Sequence, residues 1–216
     1  FTLSKTLRLG NDIEYTFGTL TIQSGGILEL DGDVYGNSSQ GSGGTINATT
    51  VDVQLGGIIR VDAMGFDGGQ GPGCGTGLYI AGTYGGKGGN NTKATYGNYL
   101  APINLGSGGR NAINYCGGGA IKIVATTVTV NGTVSADGTD TGGTYGGGSG
   151  GSIYIIANTL TGSGSITANG KSNSYDGGGG GRISFNEVTT YSFTGTVQVN
   201  GGDADLRGHA GTIAFN

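Results

Sequence analysis

The sequence predicts an all-β protein, a right-handed parallel β-solenoid with about 31 residues per coil and one long loop insertion. Three observations support this: glycine makes up 52 of 216 residues, apolar residues fall in short β-branched clusters, and two motifs share one period. Glycine interrupts every run long enough for an amphipathic helix, so we expect no helices. Collagen is excluded because glycine does not recur at every third position and the chain has only 2 prolines.

The first motif reads Gly-x-[Ile/Leu/Val]-x-apolar-[Asp/Asn]-[Gly/Ala]. Its copies are evenly spaced except for one long gap, and they begin at Gly26, Gly57, Gly132, Gly164 and Gly195. Apolar and polar residues alternate in it, as in a half-buried strand. The Asp/Asn-Gly pair at its end is typical of a turn with positive φ. One unit cannot bury its apolar face alone, so stacked coils must form the core. Right-handedness follows from the general preference of parallel crossovers.

A second motif, small residues followed by x-Ile-x-apolar, shares the period and the long gap of the first. Its isoleucines are Ile46, Ile121, Ile153, Ile183 and Ile213. Glycine-rich arms such as residues 141–151 and 174–181 lie between the two motifs, and we expect them to pack so closely that only glycine fits. A β-sandwich, the main structural alternative, would lack the longer period. We therefore predict one solenoid domain over residues 1–216.

The long gap contains an insertion, about residues 65–117, within one coil. It carries Cys74 and Cys116, for which we predict a disulfide that stabilises the fold by about 4 kcal/mol and implies an oxidising compartment. The insertion is also rich in tyrosine. Concentrated tyrosine is typical of contact surfaces, but the rings could equally pack under the loop, and both roles are open. The residues concerned are Tyr79, Tyr84, Tyr96 and Tyr99.

Charge and composition limit the partners. The net charge is −4 and 11% of residues are charged, which argues against nucleic acid and anionic membranes. No apolar stretch approaches the ~20 residues of a membrane span.

The chain begins at Phe1, without methionine or signal peptide, as expected of a mature processed product. Possible glycosylation acceptors, which favour an extracellular or cell-surface location, are Asn37, Asn47, Asn90 and Asn131.

No constellation of residues predicts catalysis, a cofactor site or a metal site. The chain has one histidine, His209, and no nucleophile-elbow motif between a strand and a helix. The paired carboxylates are explained as turn formers of the repeat or as solvated groups, as at Asp62 and Asp137. We therefore expect that the protein is not an enzyme and has no cofactor or bound metal.

A row of outward threonines on a flat solenoid face would suit an ice-binding surface. The expected row contains one threonine per strand and is interrupted by Asp52, both of which argue against that function. Its members are Thr21, Asp52, Thr129, Thr161 and Thr194.

The two ends of the predicted solenoid are expected to mediate assembly. Residues 1–9 form a strand with one apolar face, and the last repeat strand has no capping helix after it. Residues 1–9 either cap their own molecule or add to the edge of a neighbour; both roles are open. The apolar residues expected at the assembly contact are Phe1, Leu3, Leu7, Leu9, Ile213 and Phe215.

Coils such as GGGSGGSIYI (residues 146–155), LTGSGSITANG (160–170) and GGGGGRISF (177–185) resemble those of glycine-rich parallel β-helix surface proteins, the adhesin-like and filament-forming class. The resemblance implies surface display, adhesion or filament structure, without catalytic residues to carry over. The leading expectation is a structural subunit of an extracellular filament or surface layer that self-associates head to tail into a homopolymer. The alternative is an adhesin or carbohydrate-binding module that uses the tyrosine-rich insertion to bind surface glycans. The third is an ice-binding or polysaccharide-active protein.

Overall fold

The computed structural model describes residues 1–10, 13–34, 39–75, 77, 79–109, 115–139, 145–171 and 174–216. Within these ranges the regular elements are all strands, which confirms the predicted all-β class. The strands are β1 (Thr2–Leu3), β2 (Thr6–Leu9), β3 (Glu14–Ile22), β4 (Ile27–Leu30), β5 (Gly44–Val53), β6 (Ile58–Arg60), β7 (Ala120–Val130), β8 (Thr133–Ser135), β9 (Ser152–Gly162), β10 (Ser165–Thr167), β11 (Arg182–Asn186), β12 (Thr190–Phe193), β13 (Thr196–Gln198) and β14 (Thr212–Phe215).

The strands form two sheets in which every strand pair is parallel, as predicted. The first sheet has the order β1-β3-β5-β7-β9-β11-β14, with β12 also paired to β9. The second sheet has the order β13-β10-β8-β6-β4-β2. The chain thus visits the two sheets in turn, and only β11 and β12 follow one another in the same sheet.

The repeat length of the sequence sets the register of strand pairing in the sheets. In the first sheet Thr19 lies opposite Thr50 and Thr127 lies opposite Thr159, so residues one repeat apart become neighbours. The isoleucines of the second motif at positions 121, 153, 183 and 213 pair with one another as predicted. Ile46 departs from this row, since it lies opposite Ile123 rather than Ile121. A shift of two positions keeps the side chain on the same face, so its burial is unaffected.

The apolar core is built from the inward side chains of both sheets. The first sheet contributes rows such as Val51, Val128 and Leu160, and the second contributes rows such as Ile59 and Val134, all 0% exposed. Each such side chain stabilises the fold by roughly 1.5–3 kcal/mol when fully buried. The repeat places the same kind of residue at the same position of every unit, so the rows form one continuous core.

The glycine-rich arms form a third layer, here called the glycine layer. It comprises residues 65–69, 81–89, 105–109, 115–119, 146–151, 177–181 and 208–211. Successive N–H groups in one arm point to different neighbours, unlike those of a sheet strand. The N–H groups of residues 178–181 donate in order to the carbonyls of Lys171, Gly82, His209 and Ala168, at 2.9, 3.0, 2.9 and 2.7 Å. The direction returns to the same neighbour at every third position, the periodicity of a polyproline II-type helix.

Close backbone contact explains the glycine content of these arms. A Cβ on Gly150 would lie 2.2 Å from the carbonyl oxygen of Ala168, and one on Gly179 would lie 2.0 Å from that of Gly86. Backbone cannot move away as a flexible side chain can. Most arm positions therefore accept only glycine, as the sequence led us to expect.

The turns after the first motif differ from the prediction of positive φ. Only Ala63, with φ of 59°, has that conformation at the last motif position. Glycine is needed at this position for space instead: a Cβ on Gly138 or Gly170 would lie 2.4 or 2.1 Å from a carbonyl oxygen of an adjacent glycine arm. The pattern therefore predicts glycine at this position correctly, but for the wrong reason.

Residues 1–9 pair with their own chain. Strand β1 lies beside β3 and strand β2 beside β4, which is the arrangement expected of a cap. Leu3 is buried, while Leu7 and Leu9 are half-buried against the core. In the described part of the chain, no helix is long and apolar enough to cross a membrane.

Candidate functional site

The four tyrosines predicted as a binding surface do not form one exposed surface. Tyr79 and Tyr99 are 46% and 54% exposed, whereas Tyr84 is fully buried with its ring 4.8 Å from that of Tyr96. The Tyr84 hydroxyl is hydrogen-bonded to Ser152 at 2.6 Å, and burial raises its pKa to about 12. Burial likewise raises the pKa of Tyr96. Of the two roles left open, Tyr84 and Tyr96 have the packing role.

Arg182 attaches the insertion to the first sheet. It is buried, and its guanidinium lies 5.4 Å from the centre of the Tyr84 ring. The guanidinium donates to the carbonyl of Tyr96 at 2.9 and 3.1 Å and to the hydroxyl of Thr212 at 3.0 Å. The hydroxyl of Ser152 donates to the carbonyl of Asn104 at 2.6 Å. These contacts hold the insertion against β9 and β11, so it is a packed part of the fold.

Tyr79 belongs to a separate aromatic cluster with tyrosines of the glycine arms. Its ring centre lies 4.7 Å from that of Tyr175 and 6.1 Å from that of Tyr145. Tyr115 meets Tyr145 edge-on at 5.8 Å. Sequence reasoning missed this cluster because its members come from different arms. The signal available was that Tyr115, Tyr145 and Tyr175 each stand immediately before a glycine-rich run or one position earlier.

The predicted disulfide is absent from the structure: both cysteines are thiols. The Sγ of Cys116 lies 3.4 Å from Oδ1 of Asp67, to which it donates. Burial and the adjacent carboxylate raise the pKa of Cys116 to about 12. Cys74, in contrast, is close enough to Tyr96 to affect its pKa. The two thiols have different neighbours, so the prediction from sequence separation was wrong.

The carboxylates of the first motif form a ladder with the equivalent asparagines. Oδ1 of Asp62 accepts the N–H of Asp137 at 2.8 Å, and Oδ1 of Asp137 accepts the N–H of Asn169 at 2.6 Å. Asn169 in turn accepts the N–H of Asn200 at 2.8 Å. The motif therefore requires a side-chain oxygen at this position, which both Asp and Asn supply. Burial, the largest cause, raises the pKa of Asp137, and the charge of Asp62 adds to it.

The predicted assembly residues lie at opposite ends of the core rows. Ile213 and Phe215 on β14 are 42% and 60% exposed, although they continue the rows of Ile183 and Phe185, which are 0% and 1% exposed. Phe1, at the other end of the sheet, is 54% exposed. Sequence reasoning missed other exposed members of these rows. They are Ile13 and Tyr191, at 50% and 46% exposure.

A groove of about 420 Å³ crosses the outer surface of the first sheet, over β3, β5, β7 and β9. Three alanines in one row, Ala48, Ala125 and Ala157, contribute to its lining, although Ala125 and Ala157 belong to the apolar core and Ala48 packs against it. Phe17 lies at one end of this row and Glu187 at the other. No sequence motif pointed to this groove, because its residues are ordinary members of the repeat strands.

Beside the groove, threonines form two rows where one was expected. The second row, which was missed, contains Thr19, Thr50, Thr127, Thr159 and Thr190 in register. The predicted row holds from Thr21 through Thr161, but its last member was wrong. Ser192 lies opposite Thr161, while Thr194 donates to the carbonyl of Gly162 at 3.4 Å.

The predicted glycosylation acceptors differ in exposure. Asn90 is exposed, while Asn47 and Asn131 are half-buried. The Asn47 amide donates to Glu14, and Asn131 accepts the N–H of Ser163 at 3.2 Å. Asn37 lies outside the described residues. Among the three acceptors that the structure describes, Asn90 is thus the most exposed.

The described residues hold no cluster of three or more His, Cys, Asp or Glu side chains arranged to bind a metal ion. No protein-family model matches the chain, and neither the search of curated proteins nor that of solved structures finds a match.

Proposed function

We propose that this chain is a structural subunit of an extracellular filament or surface layer, built as a right-handed parallel β-solenoid that stacks end to end. The alternation of the chain between two parallel sheets, with residues one repeat apart in register, supports the solenoid. The exposed core rows at both ends of the first sheet carry the proposal of assembly.

The two ends expose members of the same rows. The row of Ile213 runs through Ile183 and Ile153 to Ile13, whose carbonyl accepts the N–H of Thr45 on β5. Phe215 and Tyr15 are the two ends of a second row. A third row ends at Tyr191 and, immediately before β1, at Phe1. A second copy placed against β14 in the sheet register would bring Ile13 over Ile213.

Such a contact would bury apolar side chains and satisfy unpaired strand edges together. Each large apolar side chain contributes roughly 1.5–3 kcal/mol when it becomes fully buried. The unpaired N–H and C=O groups of an outer strand are also a template for another strand. Because the two surfaces lie at opposite ends, the contact is heterologous, and its repetition gives an open filament.

The test is electron microscopy and sedimentation velocity of the purified chain over a range of concentrations. We expect filaments that shorten on dilution. Ile213→Lys should leave single copies, since a charge replaces an apolar member of the row. Leu206→Lys is the matched control: Leu206 is 49% exposed but lies outside the three rows, so filaments should persist.

A mixing experiment tests the register itself. Ile13→Glu should block assembly from the other end, and a mixture of Ile13→Glu and Ile213→Lys copies should restore filaments through a Lys–Glu contact. Single copies of the unmodified chain at every concentration would refute the proposal. Filaments that survive both substitutions would refute the contact.

The adhesin alternative has weaker support from the four tyrosines. Tyr84 is buried and Tyr96 is half-buried, so only Tyr79 and Tyr99 are exposed. The cluster of Tyr79 with Tyr145 and Tyr175 is the observation that still favours it. Loss of glycan-array binding in a Tyr79→Ala, Tyr175→Ala double variant would promote this alternative.

A further inference from the structure

We infer, independently of filament formation, that one face of the first sheet binds the surface of an ice crystal. This face, here called the threonine face, is formed by the carboxyl-terminal parts of β3, β5, β7 and β9 together with β1 and β12. Two rows of outward side chains cover it. The first row is Thr19, Thr50, Thr127, Thr159 and Thr190. The second row is Thr2, Thr21, Asp52, Thr129, Thr161 and Ser192.

The threonine face points to solvent. The residues between its two rows are members of the apolar core, for instance Val51, Val128 and Leu160, each 0% exposed. Because side chains alternate across a strand, the rows on either side of these residues lie on the outer surface of the sheet. Their threonines are exposed or half-buried, and none of them belongs to the apolar core.

Strand propensity alone does not explain the two rows. Threonine is favoured on any exposed strand, yet other outward rows of the two sheets are mixed in character. In the first sheet, one such row reads Thr16, Asn47, Val124, Ile156 and Asn186. In the second sheet, another reads Thr6, Ile27, Ile58, Thr133, Ser165 and Thr196. Threonine is therefore concentrated on one face, in two adjacent rows where the sequence predicted one.

The two rows form a rectangular array. Neighbouring strands lie about 4.8 Å apart, and two threonines of one strand, such as Thr127 and Thr129, are about 6.6 Å apart because two residues separate their positions. Water oxygens on the prism face of hexagonal ice form a rectangular lattice with comparable spacings. Threonine is β-branched and stiff at χ1, so its methyl and hydroxyl groups are held in position before they meet the ice. Each contact is weak, but contacts on one rigid surface form together.

The chemistry of the threonine face favours ice over other solid surfaces. An insoluble polysaccharide would be expected to stack on aromatic rings, and the described members of the two rows include none. A mineral would require a series of charged groups, whereas among these described residues Asp52 carries the only charge. The carboxylate of Asp52 accepts a hydrogen bond from the side-chain amide of Gln54 at 3.2 Å. Asp52 thus leaves one defect in the array and does not make the face a charged surface.

Nanolitre osmometry of the unmodified chain tests the inference. A protein bound to ice lowers the freezing point below the melting point, so we expect a measurable thermal hysteresis and faceted ice crystals. Ice that is grown slowly in the same solution should also take up the protein, because adsorbed molecules are overgrown rather than rejected. Both measurements respond to ice itself and need no further ligand.

Two variants on successive strands locate the contact. Thr127→Tyr, in the middle of the first row, should abolish the hysteresis, because a ring that stands above the array keeps a flat crystal away from the neighbouring threonines. Thr133→Tyr is the matched control, since it makes the same change at a half-buried outward position of β8 in the second sheet. The control should leave the hysteresis unchanged, and circular dichroism checks that both variants are folded.

A third variant is expected to gain activity. Asp52→Thr fills the defect in the second row and should raise the hysteresis at equal protein concentration, which a purely structural role of the threonines would not cause. No hysteresis of the unmodified chain, equal effects of the two tyrosine variants, or no gain from Asp52→Thr would overturn the inference.

Discussion

Replacing Gly179 by alanine should destabilise the protein strongly, because the glycine layer leaves no room for a methyl group. A Cβ at this position would lie 2.0 Å from the carbonyl oxygen of Gly86. Gly179 also donates to Gly82 at 3.0 Å and accepts the N–H of Gly150 at 2.9 Å. Overpacking by one methyl group costs about 1–3 kcal/mol, and each of two disturbed hydrogen bonds about 1 kcal/mol. The expected loss is about 3–5 kcal/mol of the free energy of unfolding.

Gly18→Ala is the matched control for this experiment. Gly18 lies within β3, and a Cβ there would meet nothing within 4 Å. The same chemical change should raise stability by about 0.4–1 kcal/mol, since alanine restricts the unfolded chain. Guanidinium chloride titration followed by circular dichroism measures both variants. A Gly179→Ala midpoint equal to that of the unmodified chain would refute the close packing of the glycine layer.

Three further predictions concern buried or half-buried side chains. Burial raises the pKa of Asp137, so the folded state holds this proton more tightly than the unfolded state, and stability falls as the pH rises from 3.8 through the raised value. Asp137→Asn keeps the acceptor oxygen and should stabilise the protein at pH 7, whereas Asp137→Ala should destabilise it in urea titrations; equal effects would contradict the ladder. Because the pKa of Cys116 is raised to about 12, its thiol should react with iodoacetamide at pH 8 only after unfolding. In the unfolded chain, Cys74 and Cys116 should both become labelled without a reductant. If mass spectra showed both cysteines unlabelled, the structure would be contradicted. Tyr84→Phe should cost about 1–3 kcal/mol because a buried hydrogen bond is lost, while Tyr99→Phe should change the thermal midpoint little.

The repeat made much of the β structure predictable. Glycine-rich arms and short strands with β-branched residues recur with a fixed period. Such short strands bury their apolar faces by stacking similar units on one another. All-β structure, parallel pairing and the row of Ile153, Ile183 and Ile213 follow from that rule. Local pattern also identified the apolar face of residues 1–9. It could not identify their partner, because strand edges of the same or another chain offer identical backbone groups.

The site residues whose roles were predicted wrongly from the sequence are those that depend on contacts between distant segments. Tyr84 and Tyr99 both lie in the glycine-rich insertion, yet one is buried beside Ser152 and the other is exposed. Cys74 and Cys116 have a separation that suits a disulfide, but the thiols have different neighbours. Sequence separation limits which contacts are possible and does not select among them.

The sequence by itself determined the all-β class, the parallel pairing, most of the register and most positions where only glycine fits, because each depends on a local pattern repeated with one period. The tertiary structure alone decided how the insertion packs, how the glycine arms bond in several directions, and where the alanine groove and the exposed row ends lie. Those features form where residues of several repeats meet. Their physical basis is the three-dimensional arrangement of side chains that are each ordinary within their own strand.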